Sequence, residues 1–201
     1  CAHFCLRADA IILMQEISRV GRRKQRCRSV IFYHPKFLFS LAPFVDFDDG
    51  EQTDSLYRML DFLDSQRCRR RSLMGLIGCD VYRARQCGNC DRCSREHAHG
   101  NVRERVAPAC LTVPAANALL DMVEQSPDKS MWFGQALNED RPWRAELSAP
   151  VAYSLFTHLL CRRMLRLGRK SLGSKGGDGE VFQLLLTVDA ERAATLRSGR
   201  S

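Results

Sequence analysis

The chain has 201 residues, 45% of them hydrophobic, which is enough for one large domain or two small ones with a packed core. No apolar run approaches the roughly 20 residues that a spanning helix needs, and of ten cysteines three fall at metal-ligand spacing while Cys1, Cys5, Cys27, Cys110 and Cys161 are widely scattered, which in a chain of this length argues against a secreted disulfide scaffold and for a reducing compartment. The net charge of +8 is carried mostly by arginine, whose planar fork matches phosphate, and this directs attention to nucleic acid or another polyanion.

The predicted elements begin with an apolar-to-basic stretch over residues 8–24, read as a helix capped by Asp9 and ended by Gly21. Arg28 to Tyr33 is β-branched and aromatic, reads as a buried strand, and is closed by His34-Pro35. The acidic run Asp46 to Glu51 reads as a loop between units. Residues 53–78 carry two helical faces: Leu56, Met59, Leu60 and Leu63 behind an N-cap at Thr53 or Asp54, then Leu73, Leu76 and Ile77. Ser94 to Arg105 is polar and reads as a linker.

The last ninety residues follow a different pattern. Ala115 to Glu124 is an amphipathic helix with Leu119, Leu120 and Val123 inward. A second helix is predicted over 130–139 and a longer third over 150–166, with Val151, Leu155, Leu159 and Leu160 on one side and Arg162, Arg163 and Arg166 on another. Leu165 to Leu172 and Glu180 to Val188 read as strands around a Gly-rich turn at 173–179. Three helices followed by a hairpin is the order of a winged helix.

One segment carries chemistry. Cys87, Cys90 and Cys93 recur every third residue, so a single tight loop can present three thiols to one ion, with Gly88 where a metal-binding turn commonly needs φ > 0. A fourth ligand would complete the tetrahedral set of a structural Zn²⁺. Cys68, Cys79 and His97 are the candidates for that position, and spacing alone does not choose among them. An iron–sulfur set would continue with C-x3-C-P, whereas Cys93 is followed by Ser94-Arg95-Glu96-His97, so zinc is favoured.

Together these pieces resemble the C-terminal half of a RecQ-family DNA helicase over nearly the whole chain. Gln15-Glu16-Ile17-Ser18-Arg19-Val20-Gly21-Arg22 resembles helicase motif VI, with Ser18 for the usual glycine and Arg23-Lys24 for the usual Asp-Gly. The strand at Val30 to Tyr33 with Pro35 resembles the close of the second RecA-like domain, and Cys68-Arg69-Arg70 with Cys87-Gly88-Asn89-Cys90-Asp91-Arg92-Cys93 resembles the family's zinc subdomain.

The resemblance implies an α+β chain in three parts: the end of a RecA-like α/β domain (1–50), a helical-hairpin zinc subdomain with its linker (51–105), and a winged helix (106–201). It implies Zn²⁺ on Cys68, Cys87, Cys90 and Cys93, and an arginine finger at Arg22 supported by Arg19, with Gln15, Arg19 and Arg22 at the nucleotide. It implies DNA as partner, in duplex, forked or single-stranded junctions, through Arg162, Arg163, Arg166, Arg169, Lys170 and Lys175, mainly at phosphates.

The activity implied is ATP-dependent 3′-to-5′ unwinding in repair and recombination, in the nucleus of a eukaryote or otherwise the cytoplasm. The 201 residues hold no G-x-x-x-x-G-K-[ST] phosphate loop and no acidic Mg²⁺ motif, so ATP and Mg²⁺ belong to an intact parent with an N-terminal helicase domain. The first residue is cysteine, and the chain accordingly reads as a fragment. The rival reading is a truncated, non-enzymatic, zinc-containing DNA-binding or interaction protein.

Overall fold

The computed structural model describes residues 2–3, 7–20, 27–79, 86–94, 109–138, 140–172 and 182–199, without the side chains of 109–111 and 182. It is a mixed helix-and-sheet chain, and no helix among the described residues is long and apolar enough to cross a membrane.

The N-terminal part is small. Strand β1 (Ala2–His3) pairs in parallel with β2 (Val30–Ile31), and helix α1 (Ala10–Ser18) lies between them in the chain. Asp9 caps α1 as expected, accepting from the Ile11 and Ile12 N–H groups. The predicted buried strand over Arg28 to Tyr33 shrinks to two paired residues, and Val30 and Phe32 are exposed. Among the described residues β2 has one partner strand, β1.

After α2 (Leu38–Leu41) comes the long helix α3 (Gly50–Asp64). Its cap is Asp49, which accepts from the Glu51 and Gln52 N–H groups, so Gly50 and Glu51 form its first turn rather than part of a loop. The helical period of the sequence holds: Leu56, Met59 and Leu60 are fully buried. A short turn leads to α4 (Arg69–Leu76), which buries Leu73 and completes a hairpin with α3.

The C-terminal part runs α5 (Ala109–Glu124), β3 (Ser130–Trp132), α6 (Phe133–Ala136), α7 (Ala149–Cys161), β4 (Leu165–Ser171), β5 (Phe182–Val188) and α8 (Ala190–Arg197). The strands form an antiparallel sheet in the order β3-β5-β4. Two expectations change. The predicted helix over 130–139 is half strand, because Ser130, Met131 and Trp132 pair with Thr187, Leu186 and Leu185; a distant partner overrides local pattern. The predicted helix over 150–166 stops at Cys161. Arg163 takes a left-handed conformation (φ 57°), and the N–H groups of Arg163 and Met164 return to the carbonyls of Leu160 and Leu159, which closes the helix end and sends Arg166 into β4.

One core joins these parts. Leu13 of α1, Leu56 and Leu60 of α3, Leu119 and Leu120 of α5, Phe133 of α6, Phe156 and Leu160 of α7 and Leu186 of β5 share a single buried cluster. The buried stripe of α7 passes through Ala152, Phe156, Leu159 and Leu160, with Val151 and Leu155 at its margin. Phe156 stacks edge-on against Phe133 at 5.3 Å between centroids.

A polar seam also ties α3 to α7, to the turn after it and to the sheet. The buried Leu167 N–H of β4 donates to the Tyr57 hydroxyl at 2.8 Å, Arg163 pairs with Asp54 at 2.8 Å, and His158 meets Asp64 at 2.9 Å. Tyr57→Phe keeps the ring but strips that N–H of its acceptor. It is expected to lower stability by about 1–3 kcal/mol in denaturant unfolding, the penalty for a buried unpaired donor; an unchanged midpoint would show that this hydrogen bond contributes nothing.

Candidate metal centre

The sulfurs of Cys68, Cys87, Cys90 and Cys93 lie within 4.8 Å of one another. Two segments bring them together. Cys68 is the N-cap residue of α4, and the other three sit on the turn 87–94, where Gly88 has φ 70° and the Cys93 and Ser94 N–H groups both return to the Cys90 carbonyl. The expected left-handed glycine is therefore present, in a conformation that a side chain would strain.

Peptide N–H groups face the sulfurs. The Cys87 N–H donates to Cys68 Sγ at 3.4 Å, and the Arg69 N–H, from the first turn of α4, donates to Cys90 Sγ at 3.4 Å. Burial opposes ionisation of Cys68, but the N–H groups of Arg71 and Cys87 and the neighbouring thiols outweigh it and bring its pKa to about 6. Burial works against Cys90 too and is likewise outweighed by the N–H groups of Arg69 and Arg92, which lowers it. Cys87 and Cys93 go the other way: burial and the adjoining sulfurs push both up, Cys93 to about 12. Four thiolates cannot coexist in this space without a counter-charge. A divalent cation supplies it, and four thiolates about 2.3 Å from such an ion would stand about 3.8 Å apart, inside the 4.8 Å that bounds the four sulfurs.

The donor set, its partial burial and the pre-aimed N–H groups thus fit a closed, four-coordinate ion such as structural zinc. Of the rival fourth ligands, Cys79 lies at the far end of α4, where its N–H closes the helix on the Met74 carbonyl, and it is not in the cluster. His97 lies outside the described residues.

A supporting shell was not anticipated from spacing. Arg69 forks onto Asp91 (Nε to Oδ1 3.1 Å, Nη2 to Oδ2 3.2 Å), while its Nη1 donates to the Phe62 and Leu63 carbonyls at the end of α3. Arg92 donates to Gln66 Oε1 at 2.9 Å. The signal was the arginine directly after Cys68 and the aspartate inside the cysteine loop, but only the fold shows that they meet.

The other predicted site residues are dispersed. Gln15 and Arg19 are exposed on and just after α1, while Arg22 and Lys175 lie outside the described residues. Arg163 and Arg169 turn inward to Asp54 and to the Val45 carbonyl and Asp46, and Arg166 pairs with Asp189. Arg162 and Lys170 are exposed.

No family model and no curated protein matches this chain.

Proposed function

We propose that this chain is a segment of a RecQ-like ATP-dependent 3′-to-5′ DNA helicase, in which a zinc-stapled helical hairpin carries a duplex-binding winged helix. The observation that carries the reading is the four-thiol cluster on the α3–α4 hairpin, at the cysteine spacing and with the following arginines of that family's zinc subdomain. The connectivity of residues 109–197 supports it: helix, strand, helix, helix, then a hairpin whose second strand pairs with the first strand, as in a winged helix. Residues 1–50 would end a RecA-like domain, with Arg22 as arginine finger and Arg19 and Gln15 beside the nucleotide, and ATP and Mg²⁺ held by the rest of the parent enzyme.

The zinc would hold the hairpin rather than take part in the reaction. Because α7 packs against α3 and Arg163, just past its end, is tied to Asp54, duplex contact falls to Arg162 at the helix end and to Lys175 in the sequence between β4 and β5, and it should be made to phosphates with little base reading.

Duplex titrations at several salt concentrations test this. Log affinity is expected to fall with log salt at about −0.9 per phosphate contact, and Lys175→Ala and Arg162→Ala should each make the slope shallower by about one on every sequence. Unchanged affinities and slopes would remove the duplex-binding role. The 201-residue chain alone is expected to hydrolyse no ATP, with or without DNA, because it holds no phosphate loop; turnover that survives removal of contaminating ATPases would overturn the assignment of the nucleotide site to other residues.

A further inference from the structure

The outer face of the β3-β5-β4 sheet is unlike the rest of the surface. On its inner face Met131, Leu165, Leu167, Leu184 and Leu186 are all buried, with the paired Arg169 at one end. The register places Trp132, Leu185 and Gly168 side by side across the outer face, one from each strand. Trp132 is 51% exposed, Leu185 is half-buried, and a Cβ on Gly168 would meet nothing within 4 Å. The result is an apolar trough with an indole at one end and bare backbone at the other.

Charge flanks this trough on one side of the sheet. Arg166 and Lys170 stand two residues before and after Gly168 on β4 and share its face, since side chains alternate along a strand. Their neighbours on β5 are Thr187 and Gln183, so no carboxylate shares these rows. Arg166 leans on Asp189 yet keeps 59% of its side chain exposed, and Lys170 is exposed with no ion pair among the described residues. Strand spacing puts each cation about 12 Å from Trp132, Cα to Cα. The second tryptophan, Trp143, differs: it is buried, with its indole N–H on the Ala136 carbonyl at 3.0 Å.

An exposed indole beside an open floor and cations of one sign matches a polyanion with free aromatic faces. Duplex DNA keeps its bases stacked inside, so only a single strand can offer a base to Trp132. We propose that the outer face of this sheet is a binding platform for single-stranded nucleic acid, with Trp132 stacking on a base and Lys170 and Arg166 meeting the flanking phosphates. This extends the nucleic-acid reading above, on which it rests for the class of ligand, to a second surface that excludes the duplex.

The test is a titration of the 201-residue chain with a short oligothymidylate at low salt, read by tryptophan emission and anisotropy. Binding should quench Trp132. Trp132→Phe should bind within a few-fold of wild type, because a ring remains, whereas Trp132→Ala should bind roughly 10- to 100-fold more weakly. Gly168→Val, at a strand position with open space above it, should fold normally, fill the trough and weaken binding similarly. Duplex affinity should be unchanged in all three, while Lys175→Ala and Arg162→Ala affect the duplex.

Wild-type-like affinity of Trp132→Ala and Gly168→Val for the oligonucleotide, or emission that the oligonucleotide leaves unchanged, would overturn the platform. So would an emission shift with protein concentration alone, which would assign the face to a second copy. Duplex binding without single-strand binding would remove the platform and leave the proposed function standing; loss of both would remove both.

Discussion

Purified chain is expected to carry one zinc ion, and Cys90→Ser, or a strong chelator, is expected to unfold the α3–α4 hairpin. The magnitude decides this. Structural zinc sites contribute about 10–16 kcal/mol in small peptides at neutral pH, whereas a whole domain is stable by about 5–15 kcal/mol. After chelation Cys68, Cys87, Cys90 and Cys93 would be left crowded with no ion between them, Cys87 and Cys93 raised in pKa by burial and by the adjoining sulfurs. Among the described residues the turn 87–94 is otherwise held by the hydrogen bonds to sulfur and by the Arg69 and Arg92 contacts.

Metal analysis beside thermal unfolding checks the claim, and Cys68→Ser and Cys79→Ser separate the ligand sets. Cys68→Ser should lose zinc. Cys79→Ser, at the opposite end of an eight-residue helix about 12 Å long, should keep it. The reverse result would move the site, and an unchanged melt after complete zinc removal would deny it a structural role.

How much of this was legible in the sequence depends on whether the cause was local. The three-thiol turn was, because its spacing and Gly88 are features of one loop. Asp9 as a cap and the buried Leu56, Met59 and Leu60 stripe were legible for the same reason: capping and helical period act within a few residues. The failures share a distant cause. Ser130 to Trp132 are strand only because β5, more than fifty residues on, pairs with them. Arg163 and Arg169, arginines on an apparently free basic flank, turn to Asp54 and Asp46, which lie over a hundred positions earlier. Charge pattern marks such residues as basic but does not say which carboxylate the fold brings to them. Asp49 was missed as the cap of α3 because it sits in an acidic run in which any member could have served.

Arg69→Ala is expected to weaken metal affinity by about 10- to 100-fold without removing a ligand. The guanidinium is the bracket between the hairpin and the metal loop: one side holds both oxygens of Asp91, the other holds the Phe62 and Leu63 carbonyls that α3 leaves unpaired at its end. Its own peptide N–H is aimed at Cys90 Sγ, so side-chain and backbone contacts from one residue fix both segments of the site. Groups of this kind around a metal typically account for that range of affinity, through orientation of the ligands.

Arg69→Lys should recover little, because an ammonium cannot fork onto a carboxylate and still reach two carbonyls. Asp91→Asn should cost less than Arg69→Ala, since Arg69 keeps its carbonyl partners. Arg71→Ala, an exposed side chain two residues away, should be neutral to within about 0.5 kcal/mol and serves as the control. Competition against a chromophoric chelator measures all four affinities. If Arg69→Ala held zinc as tightly as wild type, the bracket would be a surface contact, and the turn 87–94 with Cys68 would have to position the ligands unaided.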